Sequence, residues 1–202
     1  MRGRTRRELL TDGARIAMAG AAVSVLEPAA ARAATEATPP ETESDRLIRL
    51  LRLELLLLFA CQHILGSSLL YPRAAQTVAT LQSHAEAHIA ALRARLSVVG
   101  GVAPSPPASV AAADRHLAHR RIPERLGQLH GAGDALRLLL DVERVTVGAY
   151  FVALIKLEDP ALIRLAAEIM ANGAQHEVTI TRLLDHDDVQ QAVPNGLVQG
   201  SQ

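Results

Sequence analysis

Tryptophan is absent from the 202 residues, cysteine occurs once, and tyrosine and phenylalanine contribute two residues each. A lone thiol cannot close an intrachain disulfide or build a multi-thiolate metal site. So few rings provide no stacking platform, and 21 basic side chains against 21 acidic ones provide no basic excess, so the nucleic-acid-binding classes are excluded. What remains is aliphatic. With 49% hydrophobic residues the chain can bury a core of Leu, Ala, Val and Ile, and its length fits one domain of ordinary size with a processed end. Alanine and leucine are the strongest helix formers, which points to helices.

The first 33 residues have the layout of an export leader: a basic start, an apolar stretch from Ile16 to Leu26, and a small-residue end at Ala31-Arg32-Ala33. Thr5-Arg6-Arg7-Glu8-Leu9-Leu10 places a twin arginine before the apolar stretch and resembles a twin-arginine (Tat) signal. That stretch is far shorter than the roughly 20 residues a spanning helix needs, so no membrane span is expected after processing. Removal of residues 1–33 takes away six arginines and three acids and leaves 15 basic and 18 acidic groups, a net charge of −3. A mildly acidic product disfavours nucleic acid and anionic membrane as partners, which leaves open a homodimer or an unidentified protein partner. Residues 34–43, rich in Ala, Thr, Pro and Glu, read as a spacer.

From Ser44 onward apolar residues recur at helical spacing and nothing alternates as a strand would. The pattern predicts an all-α domain over residues 44–184, with a polar tail over 185–202. Helix one is expected from about Asp45 to Leu65, capped by Ser44 or Thr42 and stopped by Gly66. Helix two is expected from Pro72 to Gly100-Gly101. A third runs from about Asp134 to Leu157, with a shorter lead-in after Pro123, and a fourth from Asp159-Pro160 to Leu184. The short links make two antiparallel hairpins, and residues 100–123, with Pro104, Pro106 and Pro107, form a long crossover between them. That connectivity is the ferritin-like form of the four-helix bundle.

Ionisable residues on inward faces carry the chemistry, because a buried charge must be paired or bound to a metal. Glu54 shares its face with Leu50, Leu51, Leu57 and Leu58, and Glu143 with Leu139, Leu140 and Val147; Tyr150 lies on the Glu143 stripe. His84 and His88 stand one turn apart, and His176 follows Ile169 and Asn172. One acid or histidine thus points inward from each helix, a mixture that iron, manganese and zinc accept. Taken singly, each Glu could instead pair with Arg93, Arg95, Arg137 or Arg144, and each His could be a hydrogen-bonded core residue. Glu86 is expected to face solvent and Cys61 to be buried and inert.

Glu54 with FACQHIL, HAEAHIAALRARL, LDVERVTVGAY and LAAEIMANGAQHEVTITRLL resemble the bacterial ferritin-like domain, in the exported branch of the four-helix carboxylate superfamily, over about Leu47 to Leu184. The resemblance implies a dinuclear site with one Glu from each of two helices and a Glu-x-x-His pair from each of the other two. Glu54, His88, Glu143 and His176 match it. Ala85 and Gly173 stand where the two Glu-x-x-His carboxylates belong. Two carboxylates balance one divalent ion, so the expectation is a single iron, manganese or zinc ion held by Glu54, His84, His88, Glu143 and His176. Asn172 offers a carbonyl oxygen and Tyr150 a hydrogen bond to a ligand. The implied role is metal handling or oxidative protection. The alternatives are a non-enzymatic structural or interaction module without metal, and a small-ligand pocket in the space vacated at Gly173.

Overall fold

A computed structural model describes residues 41–184, so the expected leader and most of the spacer, and the expected tail, lie outside the described residues. All regular elements among the described residues are helical: α1 (Glu43–Leu65), α2 (Pro72–Val98), α3 (Val110–His119), a single 3-10 turn (Leu126–Gln128), α4 (Ala132–Lys156) and α5 (Pro160–Leu184). None of them is long and apolar enough to cross a membrane.

The helix ends follow from local chemistry. Thr42 caps α1: its Oγ1 accepts from the Asp45 amide at 3.1 Å while the Asp45 carboxylate accepts from the Thr42 amide at 3.0 Å, so two orphan donors are satisfied reciprocally. The helix therefore starts two residues before Asp45 and takes Glu43 out of the expected spacer. The Glu43 carboxylate in turn accepts from the amides of Glu158 and Asp159 at 2.9 and 3.1 Å, tying the first turn of α1 to the loop between α4 and α5. Asp159 opens α5, its Oδ1 accepting from the Ala161 amide at 2.8 Å. Proline occupies the start of α2, and α4 begins two residues before Asp134.

The crossover differs from expectation. It contains α3, whose Ser109 hydroxyl accepts from the Ala112 amide at 3.2 Å. Only Ala113 and Leu117 of this ten-residue helix are buried, too few for its periodicity to stand out in the sequence. It ends in a Schellman motif: the Ile122 amide reaches back to the Leu117 carbonyl at 3.1 Å, and Arg121 takes φ 61° where glycine is usual. Holding a non-glycine residue there costs about 1 kcal/mol. Burial of the Ile122 side chain beside Leu117 offsets that cost.

Helix α1 packs against α2 and α4, and α5 against α4 and α2, with α3 lying on α1. Two aliphatic clusters form the interior. One joins the end of α1, the starts of α2 and α4, the end of α5, and α3; the other joins the start of α1, the ends of α2 and α4, and the start of α5. Neighbouring long helices therefore run in opposite directions. Each fully buried leucine contributes roughly 2 kcal/mol. Between the clusters lies one layer that belongs to neither, and it holds Glu54, His88, Glu143 and His176.

Gly101 shows how tightly the second cluster is closed. A Cβ there would collide with the Leu96 side chain and the Ser44 hydroxyl. Gly101→Ala is expected to lower stability by about 1–3 kcal/mol in denaturant unfolding, and an unchanged midpoint would contradict that close approach.

Candidate functional site: a buried layer of paired acids and histidines

Burial of Glu54 on α1 and Glu143 on α4 is nearly complete, each being 1% exposed among leucines. A carboxylate in such surroundings must find partners or keep its proton. Glu54 finds two: the Tyr150 hydroxyl donates to its Oε1 at 2.9 Å, and His88 Nδ1 lies 3.2 Å from its Oε2. Burial first, and the neighbouring Glu54 charge second, push the Tyr150 phenol well up, so the hydroxyl remains a donor.

Glu143 takes the other course. Its Oε1 lies 2.7 Å from His176 Nδ1, and His176 Nε2 lies 2.8 Å from His84 Nδ1. Burial, then the charge of Glu54, raises the Glu143 carboxyl well above the carboxylate range. Burial, then the charge of His88, holds the His176 imidazole down to about 4. His84 is lowered too, by desolvation and then by His176. These directions all favour the uncharged forms of Glu143, His176 and His84, which are linked in that order by two short hydrogen-bond contacts. The His84 and His176 rings are nearly parallel (17°) with centroids 5.1 Å apart, and the short N···N approach sets them edge to edge, as that second bond requires. The chain runs from the deeply buried Glu143 to the half-buried His84, an arrangement able to pass a proton between core and surface.

Six of the seven residues singled out in the sequence thus meet in pairs, Glu54 with Tyr150 and His88, and His176 with Glu143 and His84. Among the described residues no group of three His, Cys, Asp or Glu side chains is arranged to hold a metal ion. Asn172 sits one turn before His176 with its Oδ1 buried and outside good hydrogen-bond geometry, yet near enough to His84 to oppose the lowering of that imidazole. No space is vacated at Gly173. A Cβ there would meet Val147 Cγ2 at 2.8 Å and Glu143 Oε2 at 3.2 Å, so these side chains already fill it. Ala85 is buried in the first aliphatic cluster. Cys61 is a buried free thiol whose pKa is pushed up by burial first and then by Glu143 and Glu54, and Glu86 is exposed and accepts from Gln82.

Sequence reasoning missed Glu177. It is 4% exposed, its Oε1 is buried without a partner, and the nearest cation, Arg144 Nε, is 4.0 Å from Oε2. Burial raises its carboxyl to about 7 against the opposing pull of Arg144. The signal was present: Gly173, Ile180 and Thr181 lie one turn away on the same face, and all are buried.

Residues 53–186 match the family described as "Ferritin-like domain". The chain belongs to the ferritin-like family. Among solved structures, this ferritin-like chain is similar to a conserved hypothetical protein, rv2844, from Mycobacterium tuberculosis, with 20% identity and a TM-score of 0.59 over 74% of this chain and 94% of that one. At that identity the likeness speaks for the fold alone. No functionally curated protein matches the chain. The dinuclear metal centre expected of a ferritin-like chain does not fit the residues present: two of its carboxylate positions are Ala85 and Gly173, Glu143 and Val147 occupy the space beside Gly173, and both His176 nitrogens are engaged.

Two substitutions test this layer. Gly173→Ala gains about 1 kcal/mol of helix propensity but overpacks against Val147, so a net loss of about 1–2 kcal/mol is expected; adding Val147→Ala should abolish the overpacking component, and a double-mutant cycle without coupling would refute the close contact. Glu177 binds its proton more tightly folded than unfolded, so its contribution to stability is present below pH 4.5 and is lost as pH rises to about 7. Glu177→Gln should therefore gain on the parent across that window, by on the order of 2 kcal/mol at pH 8 relative to pH 4.5; a melting difference independent of pH would rule this out.

Proposed function

We propose that this ferritin-like chain is a non-enzymatic structural or interaction module that keeps the four-helix bundle, as two antiparallel hairpins joined by a long crossover, with a self-paired polar layer in place of a metal centre. The observation that carries the reading is the contact between Glu143 and the Gly173 position, together with the Glu143–His176–His84 chain. A carboxylate that would serve a metal instead lies over the missing ligand's backbone and holds an imidazole. The twin-arginine leader supports export to the periplasm or the cell exterior, and export of folded protein suits a domain whose core is complete without a cofactor.

One observation favours a second reading. The buried Asn172 Oδ1 lies one turn before His176, whose Nε2 and the His84 Nδ1 stand 2.8 Å apart. Rotation of these groups would present an oxygen and two nitrogens to a single divalent ion, iron, manganese or zinc, for metal handling or oxidative protection.

Melting of the purified protein with chelator and with added iron, manganese or zinc separates the two. A ligand that binds only the folded state must raise the midpoint. The module reading expects the midpoint to stay unchanged and elemental analysis to find no stoichiometric metal. A metal-dependent rise that disappears in the His84→Ala, Asn172→Ala double variant would overturn it in favour of the single-ion site.

A further inference from the structure

We propose that α3 and the 3-10 turn after it, residues 109–128, form a hinged cover over the end of α1 that opens as one unit while the four long helices stay folded. Among the described residues, no hydrogen bond or ion pair joins this segment to any other part of the chain. Its bonds are internal. Ser109 caps α3, the Ile122 amide reaches the Leu117 carbonyl, Arg120 donates to the His116 carbonyl, and Arg125 donates to the carbonyls of Ile122 and Glu124. Asp114 ties the two halves together: its carboxylate, on α3, accepts from the Leu126 amide at 2.7 Å and the Gly127 amide at 3.3 Å in the turn. Lifting the segment whole leaves those bonds intact, whereas lifting either half alone strands them.

What holds the segment down is apolar. Ala113, Leu117, Ile122 and Leu126 are buried, with Val110 partly buried beside them, in the cluster that also takes Leu56, Ala60 and Ile64 of α1. That is a thin attachment beside α1 and α4, which bury residues along their whole length, and units with few buried apolar contacts open first. The charged groups do not resist the motion. Arg115, His116, His119 and Arg121 are already exposed, and the half-buried Arg120 and Arg125 gain water. One oxygen of the Glu124 carboxylate is buried without a partner when the cover is seated, and opening hydrates it.

Both flanks permit the movement. Upstream, Gly101 is fixed by its close approach to Leu96 and Ser44, and residues 102–108 then run without regular structure. Downstream, the His130 amide is tied at 3.0 Å to the Asp134 carboxylate in the first turn of α4, which puts the hinge at Leu129. Opening bares apolar surface at the end of α1 without loss of the bundle. The polar layer takes no part in this, so the cover stands whether or not that layer binds a metal.

Thiol labelling of the full chain tests the cover, with the buried native Cys61 as internal reference and each rate taken relative to that in denaturant. The variant Ala113→Cys puts a second thiol beneath α3, expected to react at least about tenfold faster than Cys61, because labelling follows the population of the open form. Adding Leu126→Ala removes an anchor from the turn. It is expected to speed labelling beneath α3 by a further factor of about ten or more and to leave Cys61 unchanged, since the two halves leave together. Adding Asp114→Ala as well is expected to weaken that coupling. A thiol beneath α3 no more reactive than Cys61 would overturn the proposal, as would equal acceleration of both thiols by Leu126→Ala, or coupling that persists in full without Asp114. If Ala113→Cys does not fold, hydrogen exchange of the parent decides. At ten residues α3 is too short to stay helical once lifted, so its amides must exchange faster than those of α4 and α5, and equal exchange would overturn the cover.

Discussion

Placing two glutamates in an aliphatic interior imposes a requirement that the rest of the layer has to meet. Each carboxyl must be given donors or left protonated, because an unpaired buried charge costs several kcal/mol. The chain uses both solutions side by side. Glu54 is met by the Tyr150 hydroxyl and by His88, whereas burial drives Glu143 toward its protonated form against His176. The nearness of the two acids is part of the reason for the division, since the Glu54 charge adds to burial in raising Glu143. The aliphatic clusters above and below then hold the layer in register by packing alone.

Gly173 marks where this arrangement parts from a metal centre. Glycine in mid-helix gives up about 1 kcal/mol of propensity, and here it lets α4 and α5 approach until Val147 and Glu143 touch the position. A carboxylate-bearing side chain at 173 would have to displace both. The close approach and the self-paired layer are therefore one feature seen from two sides: the helix spacing that accommodates a Glu143–His176 bond of 2.7 Å excludes the additional ligand.

The long helices and the inward residues were legible because their cause is periodic. Apolar recurrence set the faces, Thr42, Gly66, Pro72 and Asp159 set the ends, and Glu54 and Glu143 stood out against runs of leucine. The choice between convergence on a metal and pairing was not legible, because it depends on side-chain rotation and on angstrom-scale helix spacing, neither of which leaves a mark in residue spacing. Helix α3 was hidden by having only two buried positions, and Glu177 by its neighbour His176: in a helix packed on two sides, adjacent residues can both be buried, and a single inward stripe undercounts them.

Glu177 shows what the layer avoids elsewhere. It is buried like its neighbour His176, yet among the described residues its ion-pair partner is a half-exposed arginine at 4.0 Å that also pairs with Asp141. A shared, solvated guanidinium at that range offsets little of the desolvation, which is why the Glu177 carboxyl rises to about 7 while one of its oxygens stays without a partner. The contrast with Glu54 isolates the cause. Both side chains are buried, but Glu54 has hydrogen-bond partners at 2.9 and 3.2 Å, whereas Glu177 has only a charge of the right sign at 4.0 Å.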